Sequence, residues 1–450
     1  MVVRLRDGAP IAGHAADRRL IPASLSKLFV AVAALEHFGP EHRFRTGLHA
    51  RTAPDDGILS GDLLFRGSGD PDLGTEQLRT LVARLRQAGV QRITGALIID
   101  EGRFGAIACR TKDRCDARTG SRFAFDGPLS AAGIDHGTVE IAVRPASRPG
   151  QPASVALMPP SISGIVLTGS VETLPADARL RFRVERRTDA DGNDVLGLDG
   201  GIPLGHATVR RSRSVSNAAR HTGCVLRALL RDAGIALEGG VRITNLDAPG
   251  DDWRLLAAID GTPLAAQLRR MLHFSNNYMA DMLTLHLTHG ATGSTDLDVA
   301  GMRLLTALDM APAGDAPEAG PILHSGSGLS VSSRLSAREV VAVLARAYRR
   351  HALFPALLGG LTVPLYADSG QLDGGSAAWN TRLAVKTGWL SEPVGVRALA
   401  GYLRLSDDDW GAFAVIVNGT SRHPRVPRTA TLTALRQDLE ALLSSSGSGE

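Results

Sequence analysis

Three short polar motifs, far apart in the chain, constrain the fold most: Ser24-Leu25-Ser26-Lys27, Ser275-Asn276-Asn277 and Lys386-Thr387-Gly388. Each is weak alone. A serine at a helix start with a lysine three residues on is usually a cap beside a solvated side chain. Lysine usage changes their weight. Of 50 Lys+Arg, only Lys27, Lys112 and Lys386 are lysine, and two of these fall in the two motifs that need one. Chance placement of that kind is on the order of a few in a thousand. If the motifs share one site, the fold must bring together Lys27 and Ser275, 248 positions apart, and Ser275 and Lys386, 111 positions apart.

The rest of the composition is ordinary. A hydrophobic content of 44% with 21% charged residues describes a globular chain, not a disordered, collagenous or coiled-coil one. The 450 residues suggest two or three domains. A net charge of +4, from an arginine excess spread along the chain without a basic run or interleaved aromatics, gives no nucleic-acid signature. No apolar run reaches the ~18 residues of a membrane span, which leaves peripheral membrane association at most. The start, Met1-Val2-Val3-Arg4, goes straight into alternation without a leader pattern; either the protein stays in the cytoplasm or a leader lies outside this chain. Cys109 and Cys115 form a local disulfide or remain two loop thiols, and Cys224 is distant. No second Cys or His pair stands nearby at zinc-ligand spacing.

Periodicity predicts a hairpin over 2–12 with an Asp7-Gly8 turn, then a helix from Leu25 to Phe38 that starts at Ser24. Strands and turns follow from about 46, with a helix over 75–88 and strands over 93–100 and 139–143. A Pro- and Gly-rich stretch with short strands covers 146–204. Helices are expected over 218–233, 263–273, 276–288, 336–350 and 428–443. Two strands, 397–405 and 412–417, join through Asp407-Asp408-Asp409. The last residues, 444–450, read as a flexible tail.

The motif residues suit nucleophilic catalysis. Ser24 and Lys27 are i and i+3 on one helix face. The helix N-terminus favours an alkoxide on Ser24 and disfavours a protonated lysine. A neutral Lys27 can then take the Ser24 proton. Ser275 can pass that proton to a leaving amine, and Asn277 can hold Lys27 and a substrate amide. Lys386, on an edge strand, can place positive charge near a substrate carboxylate or near Ser275. The N–H groups of Ser24 and Trp389 can form an oxyanion hole. His286 and His289 on one helix, and the loop carboxylates Asp70 and Asp72, read as packing and turn residues.

The three motifs resemble those of the active-site serine penicillin-recognising enzymes. The long first gap is similar to that of the class C low-molecular-mass penicillin-binding proteins, the D-alanyl-D-alanine carboxypeptidase/endopeptidase family of bacterial cell walls. Pro22-Ala23-Ser24, Gly67-Ser68-Gly69-Asp70-Pro71 and Gly326-Ser327-Gly328-Leu329-Ser330 resemble that family's segments too. Trp389 departs from its usual Thr or Ser, Ser325 from its usual Asp, and 368–372 from its Asp-Gly-Thr-Leu pattern.

The resemblance implies an α/β (α+β) fold, in which an antiparallel sheet flanked by helices carries nested insertions. Its catalytic domain would span 1–45 and 250–443. Domain II would span 46–145 and 205–249, with domain III at 146–204. It implies a serine D,D-peptidase of the periplasm that acts on peptidoglycan stem peptides and is acylated by β-lactams, without metal or organic cofactor. Ser24, Lys27, Ser275 and Asn277 would be catalytic; Lys386, Thr387, Gly388 and Trp389 would bind substrate. Two other readings use the same residues: a peptidoglycan- or partner-binding protein without turnover, and a β-lactamase- or esterase-like hydrolase.

Overall fold

In the computed structural model the described residues are 1–109, 111–158, 163–246, 252–288, 296–311, 320–367 and 372–445. They form two compact units. One comprises Met1–His42 and the described residues from Pro263 onward; the other comprises Arg43–Thr262. Among the described residues no helix is long and apolar enough to cross a membrane.

The first unit is built on a five-stranded antiparallel sheet. Its order is Leu383–Leu390, Val396–Arg404, Trp410–Asn418, Val2–Arg4 and Pro10–Ala12. The strand carrying the third motif is therefore an edge. The N-terminal hairpin closes through Gly8, whose φ of +74° suits the Asp-Gly turn. Residues alternate across the sheet. On one face Leu399, Leu403 and Phe413 form a core with Leu435 and Leu439 of the last helix, Arg428–Ser445. On the other, Tyr402 donates its hydroxyl to Leu344 O (2.8 Å) in the helix Ala337–Tyr348. The helix Ser26–Phe38 is buried continuously from Ser26 to Leu35. Such an all-round buried helix lies inside a fold rather than on its surface.

The second unit has a mixed five-stranded sheet. Its order is Val241–Thr244, Leu97–Asp100, Leu63–Arg66, Arg45–Ala50 and Arg254–Asp260, the first three parallel and the last two antiparallel additions. Helices Thr75–Gln87 and Ala218–Asp232 share a core with it that includes Phe65, Leu81, Ile99 and Leu226. The pairing of Arg254–Asp260 with Arg45–Ala50 keeps both strands in this unit. The crossings therefore fall at 42/43 and 262/263, not at the expected 45/46 and 249/250. The β-rich stretch 146–204 shares its core with Val139, Ile141, Val143 and Val209, which lie outside that range. Cys109 and Cys115 are disulfide-bonded.

The helix at Leu297–Ala307 was not anticipated. The last helix runs to Ser445, and 446–450 of the expected tail lie outside the described residues.

Within the β-rich region Arg186 and Asp194 form a buried ion pair (3.1 Å). Asp194 also accepts from Ser216 N (3.2 and 3.1 Å). Truncating one partner leaves the other charge buried and costs about 3–5 kcal/mol. Calorimetry should therefore show a larger fall in this unit's unfolding temperature for Asp194→Ala than for the double replacement Arg186→Met/Asp194→Leu. Equal losses would contradict the assignment.

Candidate active site

The serine turn is local geometry first. Ala23 has a φ of +48°, and Ala23–Leu25 form a single 3-10 turn before the α-helix begins at Ser26. Ser24 does not cap that helix, as the sequence reading expected. Its hydroxyl instead accepts from Lys27 Nζ at 3.0 Å. Ser26 anchors the turn, with its Oγ 2.9 Å from Gly326 O and 3.2 Å from Ala23 O.

Lys27 is fully buried. Besides Ser24, its Nζ donates to Asn277 Oδ1 (2.7 Å) and to Ser327 O (2.5 Å). Three distant chain segments thus meet on one nitrogen.

Ser275 and Asn277 lie where the helix Leu264–His273 gives way to Asn277–Thr288. Ser275 sits at φ +52°, a left-handed conformation that costs of order 1–3 kcal/mol outside glycine. Asn276 Oδ1 accepts from Met279 N (3.0 Å) and so caps the second helix. The strained serine presents its Oγ to Lys386 Nζ at 3.0 Å. Lys386 also donates to Thr387 O (2.7 Å). Burial pushes its amine down to about 7. Its charge therefore varies around neutral pH rather than standing as a fixed cation.

Two glycine segments let backbone approach this cluster. A Cβ on Gly326 would stand 2.0 Å from Thr284 Oγ1 and 2.5 Å from Val30 Cγ2. A Cβ on Gly388 would stand 2.9 Å from Pro22 O and 3.2 Å from Ser24 N, so the third motif abuts the serine turn. Trp389 pairs across the sheet with Arg397, and its ring lies 5.2 Å from that guanidinium and 4.6 Å from that of Arg428.

All eight motif residues belong to the first unit. Ser24, Lys27 and Asn277 are joined directly, as are Ser275 and Lys386. Two contributors were missed. The Ser327 carbonyl holds Lys27, yet a main-chain acceptor leaves no side-chain signature; only the Gly-Ser-Gly run hinted at it. Asp281, buried on the helix Asn277–Thr288, accepts from Ser327 N (2.8 Å) and orients that carbonyl. Its one sequence signal was an acidic residue in an apolar helix. Outside the site, His286 is buried with its ring edge-on to Phe38, and His289 lies outside the described residues. Residues 368–371 of the departing segment also lie outside them. Asp70 and Asp72 serve their loop: Asp70 Oδ1 accepts from Asp72 N (3.0 Å), and Asp72 Oδ2 from Thr262 Oγ1 (2.9 Å).

A family model described as the D-Ala-D-Ala carboxypeptidase 3 (S13) family matches residues 1–437. The chain is 29% identical over 436 residues to a D-alanyl-D-alanine carboxypeptidase of an Actinomadura species, covering 94% of this chain and 77% of that protein. It is 25% identical over 418 residues to the D-alanyl-D-alanine carboxypeptidase DacB of Haemophilus influenzae, covering 91% and 83%. The fold is similar to the crystal structure of penicillin binding protein 4 (dacB) from Haemophilus influenzae. That match has a TM-score of 0.77 at 22% identity, over 98% of this chain and 95% of the other. A predatory peptidoglycan endopeptidase from Bdellovibrio bacteriovorus aligns more loosely, with a TM-score of 0.50 at 15% identity over 97% and 89%.

The lowered Lys386 pKa carries a stability signature. Between its folded value of about 7 and its ordinary 10.5, the unfolded chain binds a proton that the folded chain does not. Stability from this group therefore rises with pH across that window. Relative to Lys386→Met, the wild type should gain melting temperature from pH 7 to pH 10. A difference that stays constant with pH would contradict the buried, titrating amine.

Proposed function

The chain belongs to the D-Ala-D-Ala carboxypeptidase 3 (S13) family, and from that premise we propose that Ser24 is the nucleophile of a serine D,D-peptidase acting on peptidoglycan stem peptides. The observation that carries this reading is the position of Lys27 Nζ, in hydrogen-bond contact with both Ser24 Oγ and Asn277 Oδ1.

In its amine form Lys27 takes the Ser24 proton as Oγ attacks the carbonyl carbon of the penultimate D-Ala. The N–H groups of Ser24 and Trp389 receive the oxyanion, a role supported by the close approach of Gly388 to the serine turn. The C–N bond breaks as Ser275 Oγ–H gives its proton to the leaving amine and is reprotonated by the proton Lys27 took from Ser24, which returns Lys27 to its amine form, while Lys386, 3.0 Å from Ser275 Oγ, supports the transfer. The acyl-enzyme on Ser24 then reacts with water, activated by the same Lys27, and releases the shortened peptide. Asn277 holds Lys27 and offers its side-chain amide N–H to the substrate backbone. Thr387 and Gly388 form the strand edge along which an extended peptide lies.

β-Lactams present the same acyl carbon to the same serine. A peptidoglycan substrate supports a site of action at the cell wall, outside the cytoplasmic membrane, in the periplasm. Both release of a terminal D-Ala and cleavage of a D,D-cross-link fit this chemistry, because each needs only an acyl D-Ala on Ser24.

Intact-protein mass spectrometry after benzylpenicillin treatment should show one covalent adduct on the wild type and none on Ser24→Ala. Absence of the adduct, or its survival in the variant, would overturn the assignment of Ser24.

A further inference from the structure

The residue released from a D,D-peptide bond carries an α-carboxylate, and this anion enters the cleft beside the edge strand. Lys386 is poorly placed to neutralise it, since its Nζ is committed to Ser275 Oγ and Thr387 O. Burial also brings its amine to about 7. A cation that stays charged must come from elsewhere.

Two such cations stand at the end of the third motif. Arg397 faces Trp389 from the neighbouring strand, on the same side of the sheet, and Arg428 begins the last helix. Both guanidiniums lie over the Trp389 ring, at 5.2 and 4.6 Å from its centroid. Arg397 is locked by Nη1, which donates to Leu390 O (2.9 Å) and Val396 O (2.7 Å). Its Nε and the Trp389 Nε1 are both buried and have no acceptor among the described residues. Neither arginine has a carboxylate partner among the described residues. Burial and the neighbouring Arg428 both work against the Arg397 charge, a cost that an anion would relieve.

We infer that Arg397 and Arg428, held on the Trp389 indole, form the subsite for the α-carboxylate of the leaving residue. The inference rests on the Ser24 reading above. Distances support it. The scissile carbonyl oxygen sits at the Trp389 N–H, and the leaving carboxylate is one residue, about 3.5 Å, further along the peptide. Directly opposed side chains on neighbouring strands start about 5 Å apart. A carboxylate one residue from the Trp389 N–H is therefore within reach of a side chain as long as arginine. The planar guanidinium suits a carboxylate in two-point contact. Trp389 supplies no hydroxyl, but it fixes both cations by stacking and carries an indole N–H on the same group.

The test compares acylation of the full-length chain by benzylpenicillin and by its methyl ester, which keeps the reactive ring and loses the negative charge. Rates are read by intact mass. The wild type should favour the acid. Arg397→Gln and Arg428→Gln should each slow the acid about 10- to 100-fold, the range for a hydrogen bond to a charged group. The ester rate should stay within about twofold in both variants. Arg428 is exposed, so its variant keeps the test open if Arg397→Gln fails to fold. Parallel loss on acid and ester, or no loss on either, would overturn the subsite. A wild type that takes no adduct from either compound would remove the Ser24 reading itself, and the subsite with it.

Discussion

The Lys27 nitrogen is the point on which the site depends. It is fully buried and meets three oxygens, from Ser24, Asn277 and Ser327. A buried amine without hydrogen-bond partners is costly, and these three contacts offset that cost. The partners lie in segments separated by most of the chain. The contacts on this nitrogen tie together the serine turn, the helix Asn277–Thr288 and the Gly326–Gly328 turn. The acceptors described for it suit the three protons of an ammonium. In the proposed mechanism that is the form Lys27 takes once it has received the Ser24 proton, and these acceptors would then stabilise the product of proton transfer.

The second lysine works by a different balance. Lys386 has Ser275 and a main-chain carbonyl as partners, and burial dominates its charge. Lys27 and Lys386 thus each contact a serine, and the proposed mechanism sets Ser24 at the bond being made and Ser275 at the bond being broken. Glycines make this possible. Gly326 and Gly388 stand where a single extra carbon would meet backbone or side chain at 2.0–3.2 Å. Fixed contacts of that kind hold catalytic groups to a fraction of an ångström.

Much of the site was legible because its side chains are rare in this chain. Two lysines within an arginine background identified the first and third motifs. Apolar spacing located the helix Ser26–Phe38, and apolar runs on either side of an Asp-rich turn located the strands Val396–Arg404 and Trp410–Asn418. What was not legible follows from physics that sequence patterns do not encode. The Ser327 carbonyl is main chain. The Lys386 charge depends on burial, not on residue type. The unit boundary depends on a pairing between Arg45–Ala50 and Arg254–Asp260, some two hundred residues apart. The helix Leu297–Ala307 carries Gly301 at its centre, which weakens the helical signal. That glycine is there because a Cβ would stand 2.2 Å from Leu323 O.

The central claim is that Lys27 does chemistry as well as packing. Its most direct test is the second-order rate of benzylpenicillin acylation in Lys27→Met, a side chain of similar length without the nitrogen, with circular dichroism confirming the fold. Loss of a positioned base should slow acylation by about 10²- to 10⁴-fold while the variant remains folded. A folded variant that acylates within a few-fold of the wild type would contradict the account.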